Sequence, residues 1–204
     1  METITVWSDV SCPWASLALH VLHKAAAERG VQVRLDHRAF PLELVNREPT
    51  PKLGHDEEVE AIRAVVPDVG WSTWSAPDWT YPVTTLPAME AVQAAKSQSL
   101  EAADELDSAL RRGFFAEHRC ISLHPVIGDI AASCEHVDAE MLMEALRTGA
   151  GRQQVYADLD VASDGEVRGS PHFWTSEGPY AANPGVDDPK NFRRYDAGWV
   201  DGLL

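Results

Sequence analysis

Basic residues, cysteines and long apolar runs are all scarce in this chain of 204 residues. Lysine and arginine number 17 against 32 acidic residues, a formal net charge of -15. A field of that sign repels phosphate, which argues against nucleic acid or an anionic membrane as the main partner. No run reaches the roughly 18 apolar residues that span a bilayer. The start, Met1-Glu2-Thr3-Ile4-Thr5, lacks the basic-then-apolar layout of a secretion signal. Three cysteines, Cys12, Cys120 and Cys134, are too few, odd in number and too widely spaced for a disulfide framework. Reduced thiols and a cytoplasmic location are the expectation. Apolar residues at 45% and charged residues at 24% suffice for the core of one domain, or of one domain carrying an insertion.

What is present reads in order as strand, helix, strand. Residues 2–8 alternate and are rich in β-formers, predicting a first strand. Pro13 suits the first turn of a helix, Trp14, Leu17, Ala18, Val21 and Leu22 recur at helical spacing, and Gly30 ends it. Val31–Phe40 then predicts a second strand. The breakers Glu48-Pro49-Thr50-Pro51 and Ser75-Ala76-Pro77-Asp78 mark residues 41–84 as a connector with one short helix near Glu57–Val65. A helical pattern runs from Leu86 to about Gly113, and further helices are predicted near Pro125–Cys134, Asp138–Thr148 and Gly151–Ala162. Strand character returns at Val167–Trp174, Tyr180–Ala182 pairs with it, and Pro189–Leu204 is predicted to close the chain as a helix. This is an α/β pattern interrupted by a helical block, with residues 1–45 and 165–204 as one domain and 46–164 inserted.

Chemistry concentrates at Cys12-Pro13-Trp14-Ala15, between the first strand and its helix. A sulfur at a helix start meets unpaired amides and the positive end of the macrodipole, conditions that can lower a thiol pKa from ~8.5 into the range ~3.5–7.5. A dithiol motif would carry a second cysteine at position 15, where this chain has Ala15. Ser11 and Ser16 flank the sulfur and could offer a hydroxyl. The blander reading is a buried, inert cysteine. Packing is also the simpler reading for Cys120 and Cys134. His118, Cys120 and His124 lack the second half of a zinc site, so no metal is expected. His172 is read as a structural histidine, and Trp71, Trp74 and Trp79 as caps on an apolar cleft.

Asp9-Val10-Ser11-Cys12-Pro13-Trp14-Ala15, together with Val167-Arg168-Gly169-Ser170-Pro171-His172-Phe173 some 160 residues later, resembles the DsbA-like thioredoxin-fold family and its cytosolic FrnE-type branch. Arg38–Leu44, Leu86–Ala95 and Leu110–Phe115 add to the resemblance along the chain. A sister branch holds the kappa-class glutathione transferases and 2-hydroxychromene-2-carboxylate isomerases. The resemblance implies a thioredoxin-like α/β fold with a large helical insertion, and a cis peptide before Pro171, beside the sulfur. It implies Cys12 as catalytic residue, with Ser11, Pro13, Trp14, Ser170 and Pro171 binding substrate. It further implies a disulfide-containing protein or a small thiol as partner. No tightly bound cofactor is implied beyond a low-molecular-weight thiol such as glutathione or an equivalent, and a homodimer is left open.

Ala15 leaves three functions to separate. One is thiol-disulfide exchange or isomerisation through a single cysteine. Another is a transferase or isomerase acting with a glutathione-like thiol. The last is a non-catalytic binding protein.

Overall fold

The computed structural model of the protein describes residues 2–49 and 51–204. Met1 and Thr50, the latter within one of the expected breakers, lie outside the described residues. The β-rich N-terminus forms β1 (Thr3–Ser8), which pairs in parallel with β2 (Arg34–Ala39) from Thr3↔Arg34 to Ser8↔Ala39. Helix α1 (Pro13–Arg29) makes the crossover, with Pro13 in its first turn and Gly30 closing it at φ 64. That left-handed geometry costs glycine little. Near the C-terminus, β3 (His172–Thr175) runs antiparallel to β1 and β4 (Gly178–Ala182) antiparallel to β3. The sheet order is β2-β1-β3-β4. The first strand is therefore central, and the turn leaving it lies beside the turn that enters β3.

Between β2 and β3 the described residues form seven α-helices: α2 (Leu42–Asn46), α3 (Lys52–Val65), α4 (Leu86–Ala95), α5 (Leu100–Phe115), α6 (His124–Ala131), α7 (Ala139–Thr148) and α8 (Arg152–Ser163). One apolar cluster joins Val6, Leu22, Leu35 and Phe173 of the sheet and α1 with Val200 of the tail. A larger one includes Cys12, Trp14 and Leu17 together with Met89, Leu106, Phe114 and Ile127 of the helices. The N-terminal end of α1 thus belongs to the core of the insertion as well as to the sheet.

Several expected elements differ. The single helical run from Leu86 breaks at residues 96–99, where Ser99 accepts a 2.9 Å bond from the Ala102 amide and caps a new helix. Helix α3 starts at Lys52, before the expected Glu57, and α2 had no clear signal in its five residues. The strand expected from Val167 begins at His172, because Gly169 (φ 147) and the cis Ser170–Pro171 peptide bend the segment before it. In place of a closing helix the tail makes two short 3-10 turns, Pro189–Asn191 and Ala197–Gly202. Asp188 and Asp196 cap them through the amides of Lys190 and Gly198, a local bonding that competes with a continuous helix. Trp71 and Trp74 are buried against Phe115 and Phe114, but Trp79 is 86% exposed and caps nothing. Among the described residues no helix is long and apolar enough to cross a membrane.

Candidate active site

Cys12 is the N-cap residue of α1, and its backbone leaves the helix in an extended conformation. Its carbonyl starts the helix by accepting from the Ser16 amide at 3.0 Å. Cys12 is only 4% exposed, and its sulfur donates to the carbonyl oxygen of Ser170 at 3.2 Å. The peptide that follows that carbonyl, Ser170–Pro171, is cis. The two segments that carry the resemblance, 158 residues apart, therefore meet at the sulfur.

Asp9 holds them together. Its amide donates to Ser170 Oγ at 2.9 Å. Its carboxylate accepts from the Ser11 amide and hydroxyl, both at 2.8 Å, and from the Leu42 amide at 2.9 Å. The Thr85 hydroxyl, at the start of α4, adds a fourth donor at 3.2 Å. Beneath the loop, Arg111 of α5 is buried and fully engaged. It donates to the carbonyls of Asp9 and Val10 and to the hydroxyls of Ser8 and Ser16. Its charge is met by buried Asp107 in a two-point pair at 2.6 and 3.0 Å, the bidentate geometry arginine favours. Asp107 in turn faces His37 of β2, which shares Asp104 with His23.

A cavity of about 280 Å³ opens beside the sulfur. Ser11, Cys12, Pro13 and Trp14 line one side, and Gly169 and Ser170 another. Leu42, Glu58, Asn183 and Pro189 complete it. Glu58, from α3, accepts from Trp14 Nε1 at 3.1 Å, and its burial raises its carboxyl pKa. Of the residues singled out in the sequence, Pro171 is buried behind Ser170 rather than on the cavity wall. The Ser16 hydroxyl is taken up by Arg111. His172 Nδ1 accepts from the Arg168 amide and Trp174 Nε1, a structural role. Cys120 and Cys134 are unpaired thiols, half-buried in the helical block. His118 is bonded by Ser72 and Ser75. No group of three or more His, Cys, Asp or Glu residues gathers as metal ligands among the described residues.

The surroundings of Cys12 work against the activated thiol expected from the helix start. Burial pushes the Cys12 thiol up to about 11, and the negative charges of Asp9 and Glu58 add to the effect. The Ser170 side chain and the Ala15 amide pull the other way and are outweighed.

Sequence reasoning assigned no role to Asp9, Leu42, Glu58, Thr85, Arg111 or Asn183. Two signals were available. Asp107 and Arg111 are an i,i+4 pair set among Leu106, Leu110 and Phe114 on a face that is otherwise apolar, a place where charges are rare unless paired. Glu58 follows His55 at helical spacing on the face that also carries Val59 and Ile62. Nothing local marks Asn183 or Leu42, which reach the site only through the tertiary fold.

A family model described as a DSBA-like thioredoxin domain matches residues 3–195. This chain belongs to that family. Among solved structures of the same fold, the cytosolic disulfide reductase DsbM from Pseudomonas aeruginosa, determined with GSH, superposes with a TM-score of 0.70 at 18% identity, covering 98% of this chain and 96% of that one. A candidate protein disulfide isomerase from Nitrosomonas europaea gives 0.73 at 13% identity over 100% and 97% of the chains. A 2-hydroxychromene-2-carboxylate isomerase gives 0.58 at 13% identity over 89% of each. No curated protein matches the sequence. The DsbA-like fold explains why a sulfur after the first strand and the serine of a serine-proline pair just before β3 share one pocket.

Proposed function

We propose that this DsbA-like protein exchanges disulfides through Cys12 alone, in the cytoplasm. The observation that carries the reading is the Cys12 sulfur lying 3.2 Å from the Ser170 carbonyl, on the wall of a cavity sized for one arm of a small disulfide. The Cys12 thiolate attacks one sulfur of R–S–S–R, forming the Cys12–S–S–R bond. It displaces R–S⁻, which takes up the proton that Cys12 lost. An external thiol then attacks the mixed disulfide, freeing Cys12 and leaving with the R–S group as a new disulfide. Ser170, set in place by Pro171 behind it, and the Ser11–Trp14 turn hold the partner in line. Ala15 supplies no sulfur to release it, so net oxidation of a dithiol is expected to be poor. Reduction of mixed disulfides and isomerisation are the favoured outcomes. A low-molecular-weight thiol or a protein disulfide is the partner class.

A second reading keeps the pocket and changes the chemistry. A thiol held protonated at neutral pH, as burial holds Cys12, can orient the sulfur of a bound glutathione-like thiol in a transferase or isomerase. Incubation with small disulfides, followed by intact-mass analysis, separates the two. Exchange predicts one adduct, absent in Cys12→Ser and removed by added thiol. No adduct with any disulfide, and thiol-dependent turnover that survives Cys12→Ser, would overturn it in favour of the second reading.

A further inference from the structure

The walls of the Cys12 cavity carry charge of one sign. Glu58 is the one ionisable side chain on it besides Cys12 itself, and no lysine, arginine or histidine is among the described residues that line it. The charges that act on the sulfur are acidic as well, those of Asp9 and Glu58. Asp9 is turned inward and saturated by Ser11, Leu42 and Thr85. Glu58 receives one bond from the protein, from Trp14 Nε1 to Oε1 at 3.1 Å, and its side chain lines the cavity. That bond also fixes the carboxylate relative to a residue next but one to the sulfur.

We infer that this cavity selects its partner by charge, Glu58 favouring a disulfide that carries a cation near its sulfurs and disfavouring carboxylate-bearing thiols. The inference rests on the exchange reading and narrows its substrate class. A cation has two physical reasons to enter. It pairs with the Glu58 carboxylate on the wall, and it offsets the negative charge that the attacking thiolate brings into a low-dielectric site. An anionic arm would stand beside Glu58 and the thiolate together, a like-charge cost that selective sites use against wrong partners. The cavity volume, just under the range usual for drug-sized ligands, suits an aminothiol arm or a lysine-flanked protein disulfide, two sources of one chemistry.

The test uses three small disulfides of similar length: cystamine, 2-hydroxyethyl disulfide and 3,3′-dithiodipropionate. A disulfide-bridged peptide with flanking lysines, paired with its glutamate counterpart, forms a second arm. Adduct formation on Cys12 is timed by mass spectrometry at pH 8. Each rate is divided by that of the same disulfide with 2-mercaptoethanol, which removes intrinsic reactivity. The expected order is cation, neutral, anion, with about tenfold or more between the extremes. Glu58→Gln keeps the acceptor for Trp14 and is expected to collapse that ratio at least several-fold. Glu60→Gln removes the same unit of charge from an exposed position on the same helix and is expected to leave it intact. Repeating the series in 0.5 M salt screens the overall field of the acidic protein and spares a fixed neighbour at short range. A charge order on the small disulfides points to a small thiol as source, and one confined to the peptides to a protein disulfide. Adducts with all probes but no charge order, or an order that Glu58→Gln leaves unchanged, overturn the charge inference alone. Absence of adducts with every probe overturns the exchange reading beneath it.

Discussion

Burial and helix-terminal placement compete at Cys12, and burial dominates. Moving the thiol from 9.0 to about 11 lowers the thiolate fraction at neutral pH about a hundredfold, tenfold for each unit. Alkylation of Cys12 at pH 7.5 is therefore expected to be slow beside that of a free cysteine, and to climb with pH to at least 10 without levelling. A plateau below pH 8 would show an activated thiolate and contradict this account. Position 15 allows a second test at the same scale. Ala15 is buried, on the first turn of α1, three residues from Cys12. That spacing at a helix start falls within the Cα separation a disulfide spans. Ala15→Cys is expected to form an internal bond with oxidised glutathione, seen as a loss of two hydrogens, and to gain dithiol oxidation. Stable glutathione adducts on both sulfurs would show that the local backbone does not permit the bond.

At the level of elements, the loop that carries the sulfur is gripped from the helical insertion. Arg111 on α5 ties the carbonyls of Asp9 and Val10 to Asp107, all out of water. Removing one partner of a buried pair leaves the other uncompensated, at a typical cost of about 3–5 kcal/mol. Arg111→Met is expected to lower unfolding stability by that order in a urea titration. Arg111→Lys, which keeps the charge but not the planar fork, should recover only part of it. Equal stability of all three proteins would mean that the pair is dispensable. The elements that position this grip were unequally legible in the sequence. The βαβ start, with Pro13 and Gly30 marking the ends of α1, could be read because each signal is local. The tail could not, since Asp188 and Asp196 turn it into separate 3-10 pieces through bonds that periodicity does not register. The site divides in the same way. Cys12 and Ser170–Pro171 stand out as motif residues. Glu58 and Arg111 carry weaker signals, charges set on otherwise apolar helix faces, and packing alone shows what they bond.

For the molecule as a whole, the charge excess and the buried histidines govern behaviour in acid. His55 is packed among Phe114, Phe115 and Tyr81 with neither ring nitrogen hydrogen-bonded, and burial pushes its pKa down to about 4. In the unfolded chain it takes a proton below about 6.5. The folded chain binds fewer protons between those values, so stability falls as pH drops through the window, by about 3 kcal/mol. Asp104, held well below the usual carboxylate range by bonds from His23 and His37, keeps its contribution until the pH falls below about 4, outside that window. His55→Phe is expected to flatten the decline between pH 6.5 and 4 in thermal melts; an unchanged slope would assign it to other groups. A last consequence concerns synthesis. The carbonyl that covers the sulfur belongs to a residue 158 positions later. At the roughly 5–20 residues per second of translation, Cys12 is made on the order of 10–30 s before Ser170 exists. During every round of synthesis this thiol passes through the cell's redox buffer with nothing yet built to shelter it.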